Sequence, residues 1–234
     1  MRDISLRYRP NTETVLKGIS VSIRARERVG IAGRTGSGKS SLTLALFRIV
    51  ELQRGHILID GVDIQTLGLH LVRRAMTMIP QDPVLFQGSL RYNLDPCDLH
   101  SDSEVSTVMK DVGLDFDLNK EVKEGGTNFS VGERQLMCIA RAGLAHPKLL
   151  VLDEATSAID QHTDSLIQQY VRTKFSCTIL TIAHRLHTIL DSDRVMVLEH
   201  GRLVEFDTPQ RLLADRGSAF CQLAESLGFG REET

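Results

Sequence analysis

No apolar run in this chain is long enough to cross a bilayer. Its longest stretch free of Asp, Glu, Lys and Arg is Phe175 to His184, against the roughly 20 apolar residues that a membrane-spanning helix needs. There is no C-x-x-C pair: Cys97, Cys138, Cys177 and Cys221 are scattered, which argues against a structural zinc site and suits unpaired thiols in a reducing compartment. Neither charge dominates, with 28 Lys and Arg against 30 Asp and Glu and a formal net charge of −2. A general attraction to nucleic acid or anionic lipid is therefore not built in. The opening Met1-Arg-Asp-Ile4 has neither an apolar signal core nor an Arg- and Ser-rich transit pattern, so no export address is expected. Internal repeats and low-complexity linkers are also missing. These exclusions leave a globular chain of 234 residues, 41% apolar, sized for one large domain or a core with an inserted subdomain.

The most informative segment is Gly33-Arg-Thr-Gly-Ser-Gly-Lys-Ser40, which fits the phosphate-binding pattern G-x-x-x-x-G-K-[S/T]. It lies between an apolar run, Arg28 to Ala32, and a helical one, Ser41 to Val50. Gly33, Gly36 and Gly38 let the backbone bend with positive φ so that successive N–H groups line an anion nest. The following helix aims its positive end at the same point. Lys39 supplies a mobile charge for the outer phosphates, and the Ser40 hydroxyl is a ligand for magnesium. A Gly-rich turn that merely joins strand to helix is the bland alternative, disfavoured because strand and helix flank the turn as the mechanism requires. A nucleoside triphosphate is the expected ligand, but the loop alone fits a kinase, a GTPase, a helicase or a transporter engine.

Along the chain, Ile4 to Tyr8 and Ile19 to Ile23 read as an antiparallel pair around the turn-rich Arg9 to Glu13. Gly55 to Gly61 reads as one short strand bounded by glycines, and Met76 to Ile79 as another ending at Pro80. The middle, about Asp82 to Ala145, shows no strand pattern but helical patches at Ser103 to Val112 and Glu133 to Leu144. Lys148 to Asp153, Cys177 to Ala183 and Arg194 to Leu198 are apolar runs of the kind that parallel strands covered on both faces require. Helical spacing at Asp164 to Thr173 and Leu186 to Leu190 separates them, giving an α/β sheet with a helical insertion. Phosphate chemistry is expected beyond the carboxyl ends of these strands.

Three of those ends carry polar groups. Asp153 and Glu154 close an apolar strand, where unpaired carboxylates are costly. Asp153 suits a magnesium shell, and Glu154 suits a water attacking the γ-phosphate; the competing account is a helix start, where acids are favoured. His184 ends the next run and is placed for a γ-phosphate hydrogen bond. Gln81, just after Pro80, could reach the metal or the water through its amide.

Taken together, these residues resemble the nucleotide-binding domain of ABC transporters over essentially the whole chain. Phe129-Ser-Val-Gly-Glu-Arg-Gln135 is similar to the signature L-S-G-G-Q-R-Q, with Arg141-Ala142 following. Asp153 to Asp160 resembles the Walker B and D-loop, His184 the switch histidine, Gln81 the Q-loop and Tyr8 the adenine-stacking aromatic. Ile79 to Phe86, Asn93-Leu-Asp-Pro96 and Leu6 to Arg9 are similar to the second nucleotide-binding domain of the multidrug-resistance-associated proteins, the C subfamily; the signature most resembles short members that export organic anions and cyclic nucleotides.

The resemblance implies a P-loop NTPase, RecA-like α/β core with an N-terminal antiparallel β lobe, about 1–81 and 146–234, and an inserted, shortened helical subdomain, about 82–145. ATP and Mg2+ are the implied ligands. Tyr8, Gly33, Arg34, Thr35, Gly36, Ser37, Gly38, Lys39, Ser40, Ser41, Gln81 and Asp153 would contact them, with Ser130, Gly132 and Asp160 at the composite interface. Ser40, Gln81 and Asp153 would hold the metal; Glu154, His184, Lys39 and Gln81 would serve the chemistry. Without the resemblance, Tyr8 reads as a strand aromatic on a core face. The implied partners are a second nucleotide-binding domain, head to tail, and membrane domains reached through coupling helices, at the cytoplasmic face of a membrane. A nucleotide-sensing domain of a channel-associated protein, or a truncated product that binds ATP without transport, is the alternative.

Two departures from the family pattern stand out. Val131 and Glu133 replace a glycine and the glutamine of the signature, adding bulk and a negative charge expected to face a phosphate. In the C subfamily this signature would serve the degenerate one of two ATP sites. The stretch from Val108 to Gly126 is also shorter, by about a dozen residues if other loops are of usual length.

Overall fold

The computed structural model describes residues 1–153, 159–182 and 186–226. The chain divides into two compact units, Met1–Met76 with Thr178–Thr234, and Thr77–Cys177. In chain order the first unit contributes β1 (Arg2–Leu6), β2 (Leu16–Ile19), β3 (Arg28–Ala32), α1 (Lys39–Leu46), β4 (Arg54–His56), β5 (Leu58–Ile59), β6 (Val62–Asp63) and α2 (Leu69–Arg74). The second unit carries β7 (Met76–Ile79), β8 (Gly88–Ser89), α3 (Leu90–Leu94), α4 (Asp102–Asp111), β9 (Glu121–Val122), α5 (Val131–Ala145), β10 (Leu149–Asp153) and α6 (Gln161–Lys174). The chain then returns to the first with β11 (Thr178–Ile182), α7 (Leu186–Leu190), β12 (Arg194–Glu199), β13 (Arg202–Asp207), α8 (Pro209–Ala214) and α9 (Ala219–Ser226).

The expected antiparallel pairing forms, but with both strands earlier in the chain: β1 ends at Leu6 rather than Tyr8, and β2 ends at Ile19, the expected start of the second strand. β1 lies between β2 and β4, with Ile4 opposite Ile19 and Leu6 opposite Leu16, and all four side chains are buried. The expected Gly55 to Gly61 strand is instead two: β4 joins β1, while β5 pairs with β6. Asp60 and Gly61 both take positive φ, 51° and 81°, the Asp-Gly geometry of a tight hairpin, which turns the chain before one long strand can form.

In the other sheet of the first unit, strands run β13-β12-β3-β11. β11 and β12 flank β3 in parallel and β13 closes the edge antiparallel. Val29, Ile31 and Ala32 of β3 are fully covered, as a central parallel strand requires. Ala32 packs with Val195, Val197, Phe220 and Ala224, so the last residue before the glycine loop is embedded in core. Helix α1 stops at Leu46, short of the expected Val50. Arg48 adopts φ 48°, and its guanidinium donates to the carbonyls of Ile64 and Leu67 at 2.9 and 2.7 Å.

In the second unit β7 pairs with β10, and β10 has four buried residues in succession. α4 and α5 match the helical patches. The middle segment does contain strands, contrary to expectation: β8 and β9 pair antiparallel, Gly88 with Val122 and Ser89 with Glu121. Two-residue strands are too short to show a period of two.

One ion pair pins strand ends in the first unit. Glu27 is 5% exposed; its carboxylate accepts from Arg194 Nε and Nη2 and from the Arg24 N–H, and the guanidinium lies 3.9 Å from the Phe206 ring centre. Burial pushes the Glu27 carboxyl up, but the Arg194 and Arg24 hydrogen bonds outweigh it and hold it below the ordinary value. The resulting stabilisation is present above the unfolded value, about pH 4.3, and is lost as pH falls through the folded one. Glu27→Gln is therefore expected to cost about 2–3 kcal/mol at pH 7, with the gap closing below about pH 4. Urea unfolding at both pH values checks this.

Candidate functional site

The loop from Gly33 to Ser40 is shaped by what its glycines permit. Gly33, Gly36 and Gly38 have φ of 151°, 80° and 109°. A Cβ on Gly33 would strike the Leu198 carbonyl and the Ser37 hydroxyl, whereas one on Gly36 would meet nothing within 4 Å. Gly33 is thus demanded by close packing and Gly36 by backbone conformation at an open position. Lys39 is 6% exposed and its ammonium donates to the Gly33 and Arg34 carbonyls at 2.6 and 3.1 Å. The charge is thereby drawn over the loop. Arg34, Thr35, Gly36 and Ser40 are exposed, while Ser37, Gly38 and Ser41 are buried.

Helix α1 begins at this loop with Gly38 as N-cap, no side-chain cap and no acid in its first turn. The positive end of its dipole is left unneutralised by any capping side chain or first-turn acid, which is the condition for an external anion. The donor set is an ammonium, hydroxyls and backbone N–H groups, so it fits a polyphosphate with a metal counter-ion.

Tyr8 belongs to the same neighbourhood. Its hydroxyl lies 2.7 Å from Ser41 Oγ and the residue is 49% exposed. The core-face reading of Tyr8 is therefore overturned: the strand ends at Leu6, and the ring stands in the open beside α1.

In the second unit, Ser130 caps α5. Its hydroxyl accepts from the Glu133 N–H at 3.1 Å, and Glu133 Oε2 accepts from the Ser130 N–H at 2.7 Å. This reciprocal capping box changes the reading of Glu133: its carboxylate is engaged by the first turn of its own helix. The S-x-x-E spacing was visible in the sequence and could have indicated it. Gly132, in that turn, would bring a Cβ within 3.3 Å of Thr163. Thr163 in turn donates its N–H and hydroxyl to Asp160, at 3.0 and 2.7 Å, so Asp160 opens α6 and meets the signature turn through Thr163.

Gln81 is exposed in a bend. Next to it, the Pro80 carbonyl accepts from Gln135 Nε2 at 3.1 Å, tying the signature helix to the residue before Gln81. Gln135 and Arg141 were missed as supports. The Arg141 guanidinium, buried so that its pKa is pushed down, donates to the Val84 and Asn93 carbonyls and to Asn93 Oδ1. Asn93 itself clips Phe86 and Ser89. Ahead of the signature, Lys120 Nζ sits 3.7 Å from the Phe116 ring centre and 4.7 Å from that of Phe129, and the rings meet edge-on.

Asp153 ends β10, half-buried. Glu154 and His184 lie outside the described residues. The structure thus brings together Tyr8 with residues 33–41 in one unit, and Ser130, Gly132 and Asp160 in the other, with Gln81 beside Gln135.

The sequence model for "ABC transporter" matches residues 16–157, more than half of the chain, which therefore belongs to the ABC transporter family. It is similar to ATP-binding cassette sub-family C member 2 of Rattus norvegicus, 53% identical over 229 residues. ABC transporter C family member 3 of Dictyostelium discoideum is 52% identical over 234 residues. Such relatives bear out the C-subfamily resemblance. The matches cover 94% and 97% of this chain but only 15% and 17% of those relatives. The solved structure of a bacterial Atm1-family ABC exporter with ATP bound superposes with a TM-score of 0.90 at 34% identity, covering 99% of this chain and 42% of that one. This supports the P-loop NTPase fold. The match to sub-family C member 3 of Rattus norvegicus runs over 240 positions, more than the 234 residues here, so that relative carries residues within the matched stretch that this chain lacks.

The capping box makes a prediction. Glu133→Ala is expected to destabilise the chain by about 1 kcal/mol in urea unfolding, whereas Glu133→Gln, which still accepts the Ser130 N–H, retains most of that stability.

Proposed function

We propose that this chain binds and hydrolyses ATP as the engine of an exporter, closing head to tail on a second nucleotide-binding domain. The observation that carries the reading is the uncapped start of α1 with Lys39 folded over the glycine loop and Tyr8 exposed beside it. An anion-receiving helix end, a cation and an aromatic ring joined to the first helix turn through Ser41 occur together, which complements the phosphates and base of an adenine nucleotide. The β lobe and core, about 1–81 and 146–234, hold the nucleotide; a helical subdomain, about 82–145, presents the signature and reaches the membrane domains through their coupling helices.

Within that reading, residues 33–41 cradle the phosphates and Tyr8 stacks on the base. Ser40, Gln81 and Asp153 would hold magnesium, which when bound neutralises charge on the phosphates. Glu154 orients the attacking water and accepts its proton, and His184 donates a hydrogen bond to the γ-phosphate. Ser130, Gly132 and Asp160 belong to the interface with the partner's nucleotide. Because the Ser130 N–H already serves the Glu133 carboxylate, this signature is a poor γ-phosphate receptor, in keeping with the degenerate one of two sites. The chain works at the cytoplasmic face of a membrane, and among the described residues no helix is long and apolar enough to cross one. Organic anions or drugs are the proposed cargo class.

A second reading, ATP binding without transport, is favoured by the residues this chain lacks relative to a matched C-subfamily member. We assign the loss to the stretch before the signature.

Lys39→Ala is expected to abolish photolabelling by an azido-ATP analogue. Glu154→Gln is expected to keep labelling but lower turnover by at least about 100-fold, measured as phosphate release in the presence of the partner domain. Labelling of Lys39→Ala at the unsubstituted level would sink the phosphate assignment, and unchanged turnover in Glu154→Gln would sink the catalytic one.

A further inference from the structure

The nucleotide reading leaves open what holds the Tyr8 ring in position. β1 ends at Leu6 and β2 begins at Leu16, so Tyr8 sits in an irregular connection. That connection is closed on itself by the Thr12 hydroxyl, which bonds the Arg9 N–H and carbonyl, and by the Val15 N–H on the Leu6 carbonyl. The residue is 49% exposed, so burial by itself does not hold the ring. Among the described residues, the side-chain hydrogen bond at Tyr8 is the 2.7 Å contact between its hydroxyl and Ser41 Oγ. Ser41 is 6% exposed and sits in the first turn of α1.

We infer that Ser41 is the positioning residue for the base platform: its hydroxyl fixes the Tyr8 ring on the same helix turn whose uncapped end receives phosphate. The inference rests on the nucleotide reading above and adds a specific coupling to it. Ordering an exposed aromatic side chain before the ligand arrives removes an entropic cost from binding. The gain is collected only by a ligand that carries a flat ring along with its phosphates. A triphosphate without a base engages the loop but makes no use of the platform. The hydrogen bond therefore raises selectivity for aromatic-base polyphosphates over bare ones, independently of which base is stacked.

The test uses the full chain in calorimetric titrations with Mg-ATP and, separately, Mg-tripolyphosphate. Tyr8→Phe keeps the ring and removes the hydroxyl. It is expected to weaken ATP binding about three- to tenfold, the worth of one neutral hydrogen bond, and to leave tripolyphosphate binding unchanged. In a Ser41→Ala background, whatever that change costs by itself, adding Tyr8→Phe is expected to cost nothing more, because the bond is already gone. Equal losses for ATP and tripolyphosphate would make the contact a plain structural tie and overturn the inference. A Tyr8→Phe loss of the same size in both backgrounds, or no loss in either, would also overturn it. If tripolyphosphate binds and ATP affinity ignores Tyr8→Phe, this inference falls alone; if the unsubstituted chain binds neither ligand, the nucleotide reading falls with it.

Discussion

Helix α1 starts without a side chain to receive its first backbone N–H groups, and the first unit is arranged around that deficit. β3 delivers the chain into the glycine loop from the centre of a covered parallel sheet. Ala32 is locked among Val197, Phe220 and Ala224, so the loop springs from a rigid base. Lys39 brings its ammonium back over the Gly33 and Arg34 carbonyls, concentrating positive potential where the helix dipole also points. A site of this kind is costly without an anion and useful with one.

The two helices that matter to the proposed chemistry treat their N-termini in opposite ways. α1 leaves its end for an external ligand, while α5 fills its own with the Ser130–Glu133 capping box. Glutamate at the third helical position serves the cap as well as glutamine would, and adds a charge of the same sign as a nucleotide's terminal phosphate. In the proposed chemistry, local helix stability and reception of a phosphate would compete for the Ser130 N–H. The proposed pairing of one turning-over site with one mainly structural site would accommodate that competition.

The segment between α4 and α5 is held closed by short-range pairing and ring contacts. β8 pairs with β9, Asn128 bridges the Lys123 N–H and the Glu121 carbonyl, and Lys120 is stacked over Phe116 and Phe129. Phe129 immediately precedes Ser130, so the stack secures the approach to the signature turn. Behind it, Arg141 and Asn93 brace residues 84–93, and Gln135 holds Pro80. The signature helix is in this way joined to both ends of the segment that contains Gln81.

Much was legible in the order of residues alone. Covered strands such as β10 and β12 appear as unbroken apolar runs because both faces are buried, α5 follows from its periodicity, and the glycine loop from a spacing dictated by phosphate geometry. Elements of little more than one period escaped: β8, β9 and α3 are too brief to repeat a pattern, and the β4–β5 break depends on an Asp-Gly turn inside an apolar stretch. The roles of Gln135 and Arg141 were decided by tertiary structure, because their tasks are set by carbonyls more than fifty residues away that folding brings within hydrogen-bond distance, and no local pattern encodes such partners, whereas the Ser130–Glu133 cap is local and was written in the S-x-x-E spacing. Tyr8 shows the division most plainly. The order of residues by itself determined the glycine loop and put Tyr8 on a strand's core face, with a base-stacking place for it implied only by the family resemblance; only the folded chain decided that the strand stops before it, leaving the ring exposed with its hydroxyl on Ser41, because proximity across 33 residues of chain is set by packing and not by local pattern.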